Sequence, residues 1–194
     1  ITAALPWAVV ADDWHEVAHL VASDRQQNDH FGASVAVDAG TAIVGAILAF
    51  GGGPGSGSAY VFGRRNGEWT ETDELVAPDP HAGDLFGFSV ALDGDLAIVG
   101  AAYEDDGFFP HEIGAAYVFE RIDGDWTYVT KLTASDGGNR DHFGWSVAIS
   151  GETAVVGAPD AYETLDHQGQ AYIYRRTDGQ WVELAELTAA DAQE

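Results

Sequence analysis

Phe143-Gly144-Trp145-Ser146-Val147-Ala148-Ile149, followed by Ala154-Val155-Val156-Gly157-Ala158, is the stretch on which the fold turns. The same pattern stands at Phe31-Gly32-Ala33-Ser34-Val35-Ala36-Val37 with Ala42-Ile43-Val44-Gly45-Ala46. It stands again at Phe86-Gly87-Phe88-Ser89-Val90-Ala91-Leu92 with Ala97-Ile98-Val99-Gly100-Ala101. Each piece is β-branched and apolar and is bounded by Gly, Asn or Asp, so each reads as a short strand. The turns Asp38-Ala39-Gly40, Asp93-Gly94 and Ser150-Gly151 join the two pieces of each copy. A pattern found three times in phase is a structural repeat, and it organises the rest of the chain.

Outward from this core, each copy continues through a variable loop to a third strand. The third strands are Ala59-Tyr60-Val61-Phe62, Ala116-Tyr117-Val118-Phe119 and Ala171-Tyr172-Ile173-Tyr174. A fourth begins at Trp69, Trp126 or Trp181. Asn66-Gly67, Asp123-Gly124 and Asp178-Gly179 stand between them, and such dipeptides suit tight hairpins because both residues tolerate positive φ. The strand-opening tryptophans Trp14, Trp69, Trp126 and Trp181 are 55, 57 and 55 residues apart.

Four antiparallel strands repeated at this period describe a β-propeller blade. The expected fold is all-β, a propeller or propeller segment of about three and a half such repeats. The first two strands of each unit are nearly continuous apolar runs and belong innermost. The Trp strand carries Glu71, Asp73 and Glu74 in one copy and Lys131 in another, which suits a solvent-facing edge.

The Phe-Gly pair followed by Val156-Gly157-Ala158-Pro159 resembles the FG-GAP repeat, as found in integrin α subunits and bacterial secreted proteins. The resemblance covers about residues 14–191. Gly45-Ala46-Ile47 and Gly100-Ala101-Ala102 lack the proline. It implies a seven-bladed ring, a ligand-binding loop face, and calcium in an Asp-x-Asp-x-Asp-Gly loop between the first two strands. Here those turns are too short to wrap an ion with six to eight oxygens. No cofactor is fixed by the sequence, and calcium is the one left open.

The unit boundaries fall at 1–22 (the outer half of a blade), 23–77, 78–134 and 135–191. Ala8-Val9-Val10 takes the third-strand place and Trp14 to Leu20 the fourth. Three and a half blades do not close a ring, since propellers take about four to eight. The chain is then a piece of a longer propeller, a ring completed by self-association, or an open arc.

Composition narrows the function. The chain has 194 residues with 8 Lys+Arg against 32 Asp+Glu, a net charge of −24, and one lysine, Lys131. Such a surface repels phosphate backbones and anionic membranes, so nucleic acid and membrane surfaces are excluded as partners. No apolar run approaches the roughly 18 residues of a membrane span. No signal-peptide pattern opens the sequence, so a leader is expected to be absent or removed. With no cysteine there is no disulfide framework, thiolate metal site or Cys nucleophile. Acidity together with the family resemblance points to a secreted or cell-surface protein.

Two motifs suggest metal chemistry. His15-Glu16-Val17-Ala18-His19 matches the zincin pattern, which needs a helix to place both histidines on one face. Its alignment with the Trp strands instead sets residues four apart roughly 13 Å from each other, so the match reads as coincidence. Asp29-His30 and Asp141-His142 precede Phe-Gly in two copies, with Asp84-Leu85 in the third. The aspartate reads first as a turn-fixing acceptor of backbone N–H bonds, and Asp29, His30, Asp141 and His142 stand as weak metal candidates.

The loops after the second strands carry the ligand candidates: Tyr103, Asp105, Asp106, Phe109 and His111 in one, Asp160, Tyr162, Asp166 and His167 in the next. Trp145 joins them near the mouth of the axial channel. Exposed aromatics beside carboxylates suit sugar stacking with hydroxyl hydrogen bonds, or docking of a protein surface. The expectation is therefore a non-catalytic binding or adhesion module for carbohydrate or protein. A self-assembling scaffold is the second reading. A polysaccharide-acting enzyme is the third, with Asp106 and Asp160 as its carboxylates.

Overall fold

The computed structural model describes residues 15–105, 112–161 and 169–189. All regular structure there is β, in three antiparallel sheets of four strands. The first holds β1 (Phe31–Asp38), β2 (Thr41–Ala46), β3 (Ser58–Arg65) and β4 (Glu68–Leu75). The second holds β5 (Ser89–Asp93), β6 (Leu96–Ala101), β7 (Ala115–Ile122) and β8 (Asp125–Leu132). The third holds β9 (Ser146–Ser150), β10 (Thr153–Ala158), β11 (Gln170–Thr177) and β12 (Gln180–Leu187). Strand order follows chain order in every sheet.

The Gly-containing hairpins are as the sequence predicts. Asn66 and Gly67 have φ of 55° and 89°, and the other two copies repeat this, so both turn residues are left-handed. Each β3–β4 type ladder carries a register shift at the same place: Val61/Phe62, Val118/Phe119 and Ile173/Tyr174. A bulge recurring in all three copies bends the outer strands and increases their twist.

The sheets fan from a common side. β1 meets β5 and β5 meets β9, whereas the outer strands β4 and β8 barely touch. The inner strands therefore line the axis. Between the first two sheets lie Ile43, Val61 and Leu75 from one and Val99, Tyr117, Phe86 and Phe119 from the other. The next interface repeats it with Ile98, Val118 and Leu132 against Val156, Tyr172, Phe143 and Tyr174. Alternation along each strand sends one set of side chains forward and the other back, so every sheet has a front and a rear face.

One correction concerns the Phe-Gly pair. The sequence reads it as the start of the innermost strand. In the second and third sheets it precedes the strand and bridges to the sheet before, as Gly57↔Phe86 and Gly114↔Phe143. The reason is backbone conformation: Leu85 and Gly87 have φ of 57° and 91°, and His142 and Gly144 repeat this at 55° and 89°. Positive φ turns the chain out of the pleat, so the backbone at Phe86 and Phe143 reaches the preceding sheet while their rings, stacked on Tyr117 and Tyr172 of their own sheets, are fully buried between the two.

Close approach completes the lock. A Cβ on Gly45 would stand 2.0 Å from Gly87 O, and one on Gly100 would stand 2.0 Å from Gly144 O. Ser34 Oγ and Ser89 Oγ donate to those same carbonyls at 2.7 Å. On the third sheet the equivalent residues, Ser146 and Gly157, instead line an open cavity of about 440 Å³ with Trp145, Gly169 and Leu187. At the other end Val35 and Val37 are 69% and 70% exposed on the front of the first sheet.

Residues 15–22 carry neither helix nor strand. The strand expected over Trp14 to Leu20 is thus not formed at 15–20, and the two histidines of the zincin-like match share no helical face either. The proposed partner strand, Ala8 to Val10, lies outside the described residues. Side-chain docking nevertheless follows the repeat. Leu20 and Ala22 pack on the first sheet where Leu75 and Ala77, then Leu132 and Ala134, serve the next two.

Candidate functional site

Four aromatic rings gather where consecutive units meet at the inner strands. Phe88 and Trp145 occupy the same repeat position, one residue after Phe-Gly, and their ring centroids are 4.6 Å apart. Tyr103, from the loop after β6, lies 5.9 Å from Phe88 and 4.9 Å from His142. His142 is itself 5.8 Å from Trp145. Trp145 remains 40% exposed, so the cluster presents an aromatic face to solvent.

Carboxylates border this face. His142 Nδ1 pairs with Asp160 Oδ2 at 2.7 Å, while Nε2 faces Glu112 Oε2 at 3.6 Å, beyond hydrogen-bond reach. Arg140 Nε lies 3.8 Å from the same Glu112 oxygen. The arrangement offers stacking surface, an imidazole and hydrogen-bond acceptors within one patch. That combination can hold a polyhydroxyl ring or a basic side chain.

The turn-fixing reading of the aspartates holds. Asp29 accepts from Gln26 N, Asp84 from His81 N at 2.7 Å, and Asp141 from Gly138 N at 2.5 Å. Asp29 and His30 lie at the first unit, away from the aromatic patch. His30, Leu85 and His142 share one left-handed backbone position, so the position itself does not require an imidazole.

Of the predicted ligand residues, the structure brings together Tyr103, Trp145 and Asp160, with His142 at their centre. Asp105 sits apart from them, with His81 and Asp84; one ligand atom from each lies within 4.8 Å of the other two. Asp106, Phe109, His111, Tyr162, Asp166 and His167 lie outside the described residues.

Sequence reading missed the ion network of the second unit. Lys131 Nζ reaches Asp79 Oδ2 at 2.9 Å and Glu104 Oε1 at 2.5 Å, and it lies 5.5 Å from the Tyr117 ring. Burial opposes the charge of Lys131, but the two carboxylates hold its pKa above the ordinary value. Burial pushes Glu104 upward despite the ammonium, whereas the bonds from Lys131 and Tyr117 outweigh burial at Asp79 and lower it. The signal was available: the only lysine aligns with Glu74 and Glu186 in the other copies.

Four-stranded sheets fanned about one axis, each locked into the last by a buried phenylalanine, define a propeller-type repeat protein. Comparison with known families matches the FG-GAP repeat at residues 14–62, 69–119 and 126–174, well over half the chain. The chain belongs to the FG-GAP repeat family. Repeats of this kind form propeller-like binding or scaffold modules, and they occur generally in extracellular and surface proteins. Comparison with curated proteins finds no match.

Proposed function

We propose that this protein is a non-catalytic binding module of the cell exterior whose ligand, a carbohydrate, stacks on Trp145. The single observation that supports this reading is the exposed Trp145 face, continuous with Phe88, Tyr103 and His142 and bordered by Asp160 and Glu112. Sugar C–H faces pack on aromatic rings, while carboxylates and imidazole accept and donate to hydroxyls. The net charge of −24 selects against sulfated or otherwise anionic glycans and favours neutral or amino sugars. A basic protein surface is the competing ligand, by cation–π and ion-pair contacts at the same patch.

A panel of neutral and amino oligosaccharides, titrated while tryptophan emission is followed, tests the reading. Trp145→Ala is expected to weaken binding at least tenfold, about 1.4 kcal/mol, with little change in thermal stability because the ring is half exposed. Equal affinity in the variant sinks the proposal.

A second reading, assembly, rests on the rear face of the third sheet, which no other described residue covers and which Trp145 also borders. That face repeats the socket filled twice within the chain, and it suits the Phe-Gly face of a further sheet of the same repeat. Light scattering across a wide concentration range distinguishes the cases. A defined oligomer supports assembly of this chain, and a monomer at every concentration removes it.

A further inference from the structure

Arg64, Arg121 and Arg176 hold one repeat position, each directly across the ladder from the tryptophan of the fourth strand. Between the second and third sheets Arg176 is clamped. Its two terminal nitrogens donate to the two carboxylate oxygens of Glu120 at 3.0 and 2.9 Å. A planar guanidinium fork matches a carboxylate, so the pair fixes direction as well as charge. On the first sheet the residue in the place of Glu120 is Gly63. The interface between the first and second sheets therefore repeats the arginine but not its clamp.

Arg121 reaches back to the first sheet, where its Nη1 donates to Thr41 Oγ1 at 3.2 Å. Its Nε donates to Asp95 Oδ1 at 2.7 Å, and Nη2 lies 2.6 Å from the same oxygen. These contacts leave part of the fork uncommitted. Beside it lies a cavity of about 490 Å³, lined by Gly63, Arg65 and Thr72 of the first sheet and by Arg121, Asp125 and Trp126 of the second. Arg65 shares the Gly63 face by strand alternation and has no ion pair among the described residues. Of the 8 Lys+Arg in a chain of net charge −24, Arg64, Arg65 and Arg121 all border this one cavity. The backbone does not demand a glycine at 63. Its φ is not left-handed, and a Cβ there would meet only the Thr72 methyl group, at 3.1 Å.

We propose that this cleft binds a small carboxylate, whose head meets Arg121 as the Glu120 carboxylate meets Arg176. Arg65 supplies the second cation. Asp125 lines the cleft and Asp95 already pairs with Arg121, so a singly charged head fits better than a phosphate dianion. The cleft opens at the β1–β2 and β7–β8 turns, the strand ends opposite the aromatic patch, and it works independently of what Trp145 binds.

NMR titration of the whole chain with sodium acetate tests this, at a constant ionic strength of about 0.15 M to screen diffuse charge, with sodium phosphate run beside it. Saturable shifts are expected at the amides of Gly63, Arg65 and Arg121 and at the Arg121 Nε–H. Arg65→Ala is expected to weaken binding about threefold, the loss of one exposed charge contact. Gly63→Glu supplies the clamp from within, so binding falls about tenfold or more. The same variant melts above Gly63→Gln, which brings the shape without the charge. If Gly63→Glu fails to fold, Arg65→Ala alone decides. Absence of saturable shifts at these groups, or undiminished binding in Gly63→Glu, overturns the site. Equal melting of the Glu and Gln variants overturns its likeness to the Glu120 clamp. A response to phosphate as strong as that to acetate overturns its assignment to carboxylates.

Discussion

Gly100→Ala is expected to destabilise the protein by about 3 kcal/mol, while the same change at Gly157 costs under about 1 kcal/mol. The two glycines occupy one repeat position. At Gly100 a new Cβ would stand 2.0 Å from Gly144 O and 2.3 Å from Ser89 Oγ. The serine can rotate away, although it then surrenders its bond to the Gly144 carbonyl. The backbone carbonyl cannot move without separating the second and third sheets. At Gly157 a Cβ would meet only Ser146 within 3 Å, at its Oγ, which swings freely into the open cavity. Urea unfolding of both variants measures the difference. Equal costs would mean that the third sheet's rear face is filled, as assembly would require.

Phe143→Ala is expected to cost about 4 kcal/mol, against roughly half that for Phe31→Ala. Phe143 is fully buried between the second and third sheets and packs on Tyr172 and Tyr174 of its own sheet at 5.4 and 6.0 Å. Removing it leaves a cavity between two sheets that their shared hydrogen bonds hold apart, so collapse cannot recover the loss. Phe31 meets Tyr60 and Phe62 at similar distances but is only half buried, since among the described residues no four-stranded sheet stands in front of it. Domain stabilities of about 5–15 kcal/mol make the Phe143 change large enough to lower the folded population near room temperature. Thermal and urea melts of the two variants, run together, check the ratio. A Phe31 variant as damaged as the Phe143 variant would show that something covers the first sheet in solution.

The candidate site was readable in part. Trp145, Tyr103 and Asp160 stand out as aromatic and acidic residues at loop positions of a propeller face. Their meeting at His142 was not readable, because it depends on the angle at which one sheet follows another. The Lys131 network was missed for a related reason. A lone lysine on an outer strand looks like a solvated edge charge until Asp79 and Glu104, 52 and 27 residues away, fold against it. The Phe-Gly pair was misplaced because its β-like composition hides the left-handed residues around it. Leu85 and His142 carry no mark of positive φ in their side-chain chemistry.

By itself the sequence determined the three four-stranded sheets, their strand order and the hairpin turns, but not the extra strand it placed at Trp14 to Leu20. These follow from local matters: period-two alternation, Gly-containing turn dipeptides, and a pattern that recurs in phase. Only the tertiary structure decided which way the phenylalanine points and which glycine meets which carbonyl. Those depend on contacts between residues some 40 to 60 positions apart, such as Ser89 with Gly144. A repeat states what each sheet is made of. How one sheet grips the next is set by backbone torsions and close approach, for which side-chain composition carries no code.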